Sequence, residues 1–215
     1  MYCTKYIENL NIFFNELPSW YYIIPYIIHF ISSIILYNKT KDISEKNPPL
    51  YDIIISNTPD LSNYDIIPNI LLCFIFSFLL IPLFFNENFK ILYSFFKYFS
   101  LIILIRTITT QVTILPPTIL EPQRECKYEK NFFDIICICL DGHNLDKIFS
   151  GHTAASLLLV LLYFKYNILE KNSLYLLLGL QILLSLTLIL TRGHYTIDVL
   201  LAYIITFGIF LLLDL

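Results

Sequence analysis

Charged side chains are scarce in this chain. Asp, Glu, Lys and Arg make up 14% of its 215 residues, whereas an ordinary soluble domain contains about 25%. The formal net charge is −3, which excludes a strongly basic nucleic-acid-binding protein and a polybasic patch for anionic lipids. Apolar residues reach 57%, compared with roughly 45–50% in soluble domains. This composition predicts a membrane protein.

The chain also lacks features that would divide it or suggest membrane-spanning strands. Its apolar runs do not alternate polar with apolar residues, as spanning strands do. The first run has no small-residue cleavage site, which argues against a removed signal peptide. No internal repeat and no low-complexity linker interrupts the sequence. We therefore expect a single all-α domain over residues 1–215.

Long apolar runs dominate what is present. A helix that crosses a bilayer needs about 20 mostly apolar residues. Six runs come close to this length, so the sequence predicts a polytopic membrane protein with six transmembrane helices in one bundle. The runs are Ser19–Tyr37, Ile66–Phe85, Ile91–Gln111, Phe149–Tyr166, Ser173–Thr191 and Tyr195–Leu213.

The five cysteines do not form a metal-binding pattern. None combines with a histidine at a metal-ligand spacing, so we expect no metal site and no cofactor. Cys126, Cys137 and Cys139 lie in one loop. They would form a disulfide in an oxidising compartment or remain free thiols in the cytosol, and the sequence leaves both alternatives open.

Two histidines lie at the N-terminal ends of apolar runs. His152 is at the start of the fourth run, His194 directly precedes the sixth, and the fifth run lies between them. The chain therefore crosses the membrane twice between His152 and His194 and brings both to the same face. Asp198 follows His194 by one helical turn, which places the two side chains on one helix face. A carboxylate beside one ring nitrogen fixes the tautomer and makes the other nitrogen a better nucleophile or base. We predict His152, His194 and Asp198 as catalytic residues.

The residues around His152 suit a phosphate group. Ser150 is a candidate N-cap, and Gly151 would let a phosphate approach the free N–H groups at the helix N-terminus. Asp146 would orient His152 or hold the loop. These three residues are predicted to support catalysis.

Further polar residues are candidates for binding phosphate or substrate. Arg106 comes near the end of the third run, among several hydroxyl side chains, and would either snorkel to the interface or contact a phosphate. Arg192 and Tyr195 flank His194 and are also predicted to bind substrate. His29, within the first run, is interpreted as an interior histidine whose hydrogen bonds are satisfied.

Several of these motifs resemble those of the sphingomyelin synthase family. The stretch from Asp146 to Thr153 resembles its C-G-D-x-x-[FY]-S-G-H-T element, with Asn144-Leu145 in place of Cys-Gly. The residues from His194 to Val199, followed by Ala202-Tyr203, resemble its H-Y-T-x-D-V-x-x-A-Y element.

Two more segments, in the expected order, add to the resemblance. Residues 106–117 resemble the family's R-x-x-T-M-x-x-T-x-L-P-x-P segment, with Thr110 in place of Met. Pro59-Asp60, followed by residues 65–68, is similar to its early P-L-P-D-type segment. The resemblance implies a six-span lipid phosphotransferase with its motifs in 106–117, 146–153 and 192–203.

The sphingomyelin synthases belong to a wider superfamily of lipid phosphatases and phosphotransferases. Its type-2 phosphatidic acid phosphatases carry a Pro-Ser-Gly-His element and an S-R-x5-H-x3-D element. Here Phe149 stands where that proline would be, and Leu188 stands where that arginine would precede His194. The pattern of phosphate-holding arginines is therefore incomplete, which favours the synthase branch.

The resemblance implies transfer of a phosphocholine or phosphoethanolamine head group from a glycerophospholipid donor to ceramide, through a phosphohistidine. The alternative is a lipid phosphatase or phospholipase C-like hydrolase that uses water as acceptor, and a non-catalytic membrane scaffold is a third reading. The family also implies a multi-pass protein of the Golgi, endoplasmic reticulum or plasma membrane. The head group, the side of the membrane and the oligomeric state, a homo-oligomer included, stay open.

Overall fold

A computed structural model describes residues 22–40, 48–81, 90–116, 118 and 148–214. The regular structure in these ranges is helical, and each predicted apolar run contains one helix of at least 16 residues, which confirms the helical interpretation of the runs. A short 3-10 helix covers Ser62–Tyr64. The α-helices are α1 (Ile23–Thr40), α2 (Ile53–Asn57), α3 (Ile66–Ile81), α4 (Lys90–Val112), α5 (Gly151–Tyr166), α6 (Lys171–Leu190) and α7 (Thr196–Asp214).

Three of these helices are long and apolar enough to cross a membrane. They cover Lys90–Val112, Lys171–Leu190 and Thr196–Leu213, with mean hydropathy values of 1.6, 2.2 and 2.3. The apolar stretches of α1 and α3 are shorter, and α5 has 16 residues, which corresponds to about 24 Å. The long apolar helices are consistent with a membrane protein, whereas the arrangement of six spans stays a prediction.

Helix α5 is the centre of the core. It packs against α3, α4, α6 and α7, and its side chains from Thr153 to Val160 are all buried. A stretch that is buried all round is expected to be mostly apolar, because no side of residues 153–160 faces solvent or lipid. Leu158, Leu159 and Leu162 are completely inaccessible. The first turn of α5 therefore has a fixed position relative to four other helices.

The long helices alternate in direction, so that their functional ends meet. The N-termini of α5 and α7 adjoin, because the Ser150 N–H donates to the carbonyl of Asp198 at 3.4 Å. The C-terminal end of α6 lies at the same level, since its Leu190 carbonyl accepts from the N–H of Leu61, shortly before α3. We call this end of the bundle, which carries Arg106, His152 and His194, the site end.

The burial of α5 leads to a direct stability test. Replacing Leu158 by Ala should reduce the free energy of unfolding by about 2–5 kcal/mol, because it leaves a cavity in a core that cannot collapse around it. The matched change Leu176→Ala, on the 57% exposed face of α6, should have a much smaller effect. Thermal unfolding of both variants in one detergent measures the difference. Equal losses would contradict the central position of α5.

Candidate active site

His194 is held in a tight turn between α6 and α7. The Leu188 carbonyl accepts hydrogen bonds from the N–H groups of Gly193, at 2.9 Å, and His194, at 3.1 Å. A β-carbon on residue 193 would lie only 3.3 Å from that same carbonyl oxygen, so glycine allows the turn to close. Arg192 adopts a left-handed backbone conformation with φ of 59°, which is uncommon for a residue with a side chain. The turn fixes the backbone of His194 at the start of α7.

Asp198 connects this turn to the first turn of α7. Its side chain is fully buried, and Oδ2 accepts from the backbone N–H of Tyr195 at 2.9 Å. This is the carboxylate half of a capping box, in which a residue inside the first turn reaches back to the residue before the helix. The same Oδ2 lies 3.7 Å from Nδ1 of His194, which is ion-pair range but longer than a hydrogen bond. Nδ1 of the ring therefore faces the carboxylate.

His152 lies in the first turn of α5. Ser150 is the N-cap of this helix, as the sequence predicts, and its Oγ accepts from the N–H of Thr153 at 3.3 Å. The His152 Nε2 lies 3.0 Å from Oδ1 of Asn69, in the first turn of α3. An amide oxygen only accepts hydrogen bonds, so this contact requires a proton on Nε2, which both the imidazolium and one neutral tautomer carry. Sequence reasoning missed Asn69, although it directly follows the segment that resembles the family's early motif.

The two histidine-bearing helix ends meet at one backbone contact. Ser150, whose N–H bonds to the Asp198 carbonyl, is two residues from His152, and the Asp198 side chain lies beside His194. The structure therefore brings Ser150, Gly151 and Asp198 together at the N-termini of α5 and α7. Asp146 lies outside the described residues, as do Cys126, Cys137 and Cys139, so those predictions are not addressed.

The side chain of Arg106, which belongs to α4, lies beside the N-terminus of α5. Its Nε donates to the carbonyl of Phe149 at 3.0 Å, immediately before the N-cap of α5. A β-carbon on Gly151 would lie 3.6 Å from the same Nε, in van der Waals contact with the guanidinium. A glycine here keeps the space between the guanidinium and the helix N-terminus open. A guanidinium beside a helix N-terminus is a favourable arrangement for a phosphate group.

Arg192 makes its described contacts within the protein. Nη2 donates to the carbonyl of Thr58 at 2.8 Å, Nη1 lies 3.3 Å from the Thr58 hydroxyl, and Nε lies 3.9 Å from Oδ1 of Asp60. Thr118 in turn donates to the carbonyl of Arg192. These contacts hold the segment before α3 against the His194 turn and stabilise the left-handed residue. The predicted role of Arg192 in binding substrate stays a prediction, since its contacts support a structural role.

The Tyr195 hydroxyl also joins separate segments. It donates to the carbonyl of Pro116 at 3.1 Å and accepts from the N–H of Leu50 at 3.0 Å. The side chain is 2% exposed, so its ring packs inside the protein. For Tyr195, too, substrate binding stays a prediction, and the described contacts tie the loops to α7.

Asp52 is a site-end residue that the sequence did not reveal. Its Oδ1 caps α2 by accepting from the N–H groups of Ile54 and Ile55, at 3.0 and 3.1 Å. It also binds Thr196, the first residue of α7, through the backbone N–H at 2.7 Å and the hydroxyl at 2.9 Å. Partial burial raises the pKa of Asp52, but the hydrogen bonds from Thr196, Ile55 and Ile54 outweigh this and leave the pKa below its usual value. One carboxylate thus caps two helices.

The described part of the chain contains no group of three or more His, Cys, Asp and Glu side chains arranged to hold a metal ion.

Residues 145–215 match the family model described as PAP2 superfamily C-terminal. The matched stretch contains His152, His194 and Asp198 and covers the C-terminal third of the chain. The match supports the lipid phosphatase and phosphotransferase superfamily, and with it a phosphatase or phosphotransferase enzyme. It does not separate the sphingomyelin synthases from other branches. No curated protein matches the chain significantly.

The two helix caps at Asp52 predict a pH-dependent contribution to stability. Asp52→Asn should reduce the free energy of unfolding at pH 7 by about 1–2 kcal/mol, because an amide cannot accept all of these hydrogen bonds. Since the pKa of Asp52 is lowered by folding, the contribution is fully present above the usual aspartate pKa of about 3.9 and is lost as the pH falls through the lowered value.

Thermal unfolding midpoints of the wild type and Asp52→Asn should therefore differ by a constant amount from pH 5 to 7 and converge at lower pH. Glu170→Gln is the matched control, because Glu170 is the exposed N-cap of α6 and makes no side-chain cap bond. A loss of the same size in this control would show that the charge at a helix N-terminus, and not the Asp52 hydrogen bonds, produces the effect.

Proposed function

We propose that this protein transfers the phospho-head group of a glycerophospholipid to ceramide through a phosphohistidine. The observation that carries the proposal is the contact between the N-termini of α5 and α7, which brings the His194–Asp198 pair to the helix end that bears His152 and adjoins Arg106. The superfamily match supports the coarser class of lipid phosphotransfer. The donor and the acceptor come from the motif resemblance.

In the first step, Nε2 of His194 attacks the phosphorus of the donor lipid. Nδ1 is the ring nitrogen nearer to Asp198, and the scheme therefore assigns the attack to Nε2. The buried carboxylate stabilises the positive charge that develops on the ring as the N–P bond forms. His152, with both ring nitrogens protonated, gives its Nε2 proton to the departing diacylglycerol oxygen, which replaces the Asn69 oxygen as the hydrogen-bond partner of this nitrogen. The ring is then neutral and keeps its remaining proton on Nδ1.

In the second step, ceramide replaces diacylglycerol. Nε2 of His152, now without its proton, removes the proton of the ceramide primary hydroxyl. The resulting oxygen attacks the phosphorus, and the bond to His194 breaks. Two displacements at one site allow two lipids to use the same apolar surroundings in turn. Exclusion of water decides the outcome, because water in the place of ceramide would give hydrolysis.

The charge at the site fits a phosphodiester. Where the phosphatase pattern has an arginine, this chain has Leu188, which is 4% exposed and whose carbonyl holds the His194 turn. Arg192, the nearest guanidinium along the chain, binds Thr58 and Asp60. A head-group diester carries one negative charge, so it requires fewer cations than a dianionic monoester. The positive charge would come from Arg106 and from the partial charge at the N-terminus of α5.

The assignment of donor and acceptor is tested with purified protein in mixed micelles. Fluorescent ceramide is supplied with phosphatidylcholine or phosphatidylethanolamine that carries a labelled head group. We expect the label on ceramide, and His194→Ala should abolish the transfer without changing the thermal unfolding midpoint. Label released only into water would identify a hydrolase instead.

A donor whose leaving group needs no protonation distinguishes the role of His152 from that of His194. His152→Asn should reduce transfer from a natural phospholipid by about 10²–10⁴-fold, because the leaving alkoxide is no longer protonated. With p-nitrophenyl phosphocholine, whose phenolate leaves unaided, the same variant should release one equivalent of phenolate and retain a phosphorylated His194. Mass spectrometry locates the adduct. A phosphorylated residue other than His194, or no burst at all, would contradict the scheme.

A further inference from the structure

The contacts of His29 connect α1 to Arg106. Its Nε2 lies 3.0 Å from Nη1 of Arg106, and its Nδ1 lies 2.8 Å from the hydroxyl of Thr107. Sequence reasoning treated this histidine as an interior residue without a role. It lies inside α1, beyond the segments that resemble the family motifs, so neither its spacing nor any motif pointed to Arg106.

The hydrogen-bond directions define the state of the His29 ring. The Thr107 hydroxyl donates its proton to the carbonyl of Ile103 at 2.8 Å, so toward His29 it acts as an acceptor. Nδ1 of His29 must then carry a proton. Arg106 can only donate, so Nε2 of His29 must be unprotonated and accept. Both contacts are satisfied together by a neutral imidazole in one tautomer.

Arg106 is thereby fixed from two sides. Nε donates to the carbonyl of Phe149 at 3.0 Å, and Nη1 donates to His29 at 3.0 Å. These two bonds determine the plane of the guanidinium beside Gly151 at the N-terminus of α5. A carboxylate in the place of His29 would also orient the guanidinium, but its negative charge would oppose an anionic phosphate. A neutral imidazole orients the group and adds no charge.

We propose that His29 is a positioning residue, which holds the Arg106 guanidinium in the orientation that binds the lipid phosphate. This inference deepens the proposed function and rests on it. His29 acts through Arg106 and takes no part in proton transfer. The first helix of the bundle thus becomes part of the phosphate site, although it contributes none of the recognised motifs.

The test compares two changes at one position. His29→Leu removes both hydrogen bonds and should lower kcat/KM for head-group transfer by about 10- to 100-fold, because a misplaced donor stabilises the transition state poorly. His29→Gln should recover most of this loss, since its amide offers an oxygen to Arg106 and an N–H to Thr107. The matched control is Tyr26→Phe, which removes another hydrogen bond between α1 and α4, from the Tyr26 hydroxyl to the Phe96 carbonyl, and should leave activity unchanged.

A double-mutant cycle with Arg106→Lys distinguishes positioning from a structural effect. Lysine keeps the charge but lacks the planar fork that His29 orients. His29→Leu should therefore cause little further loss when Arg106 has been replaced. If the two losses multiply, or if His29→Leu behaves like Tyr26→Phe, the inference is overturned while the phosphotransfer proposal stands.

The affinity for orthovanadate does not depend on turnover, and calorimetry measures it in the same variants. If the wild type neither transfers nor hydrolyses lipid but binds vanadate, the proposed function fails and His29 is judged by the vanadate affinities alone. His29→Leu should then weaken binding and His29→Gln should restore it. Absence of vanadate binding and of activity in the wild type would overturn both proposals.

Discussion

The arrangement of the site end depends on the interactions of Asp198, whose carboxylate is buried. Its side chain caps the backbone at Tyr195 and lies beside the ring of His194, while its own carbonyl accepts from Ser150 ahead of α5. One residue therefore fixes the start of α7, the position of a histidine and the junction with the central helix. A carboxyl group at full burial is costly unless it makes hydrogen bonds, and Oδ2 of Asp198 accepts one from the N–H of Tyr195. That requirement explains why the turn, the cap and the helix junction occur together.

Around this centre, the site end is built from polar groups that close off helix termini. Asp52 caps α2 and binds the first residue of α7, and the Tyr195 hydroxyl joins two further segments. Arg192 secures the segment before α3. Unpaired backbone groups are costly near an apolar medium, and the described segments named here satisfy several of theirs through side chains of other segments. Arg192 and Tyr195, which the sequence predicts to bind substrate, therefore have structural contacts.

The site contains few charged groups, and neutral partners orient its Arg106 and His152 side chains. Arg106 is oriented by a carbonyl and a neutral imidazole, and His152 contacts an amide oxygen. Such neutral partners set the geometry without adding negative charge, and therefore suit a substrate whose phosphate carries a single charge. The superfamily match supports a lipid phosphatase or phosphotransferase, while ceramide, the head group and the phosphohistidine remain part of the proposal.

The apolar runs determined the helices, because a helix in an apolar medium must satisfy its own backbone and its length can be counted along the sequence. The spacing of His194 and Asp198, and Ser150 before α5, were equally local and therefore predictable. Only the tertiary structure decided the partners of His29, Asp52 and Asn69. Each of these contacts joins residues far apart in the chain, and their pairing depends on how whole helices pack, which no local pattern records.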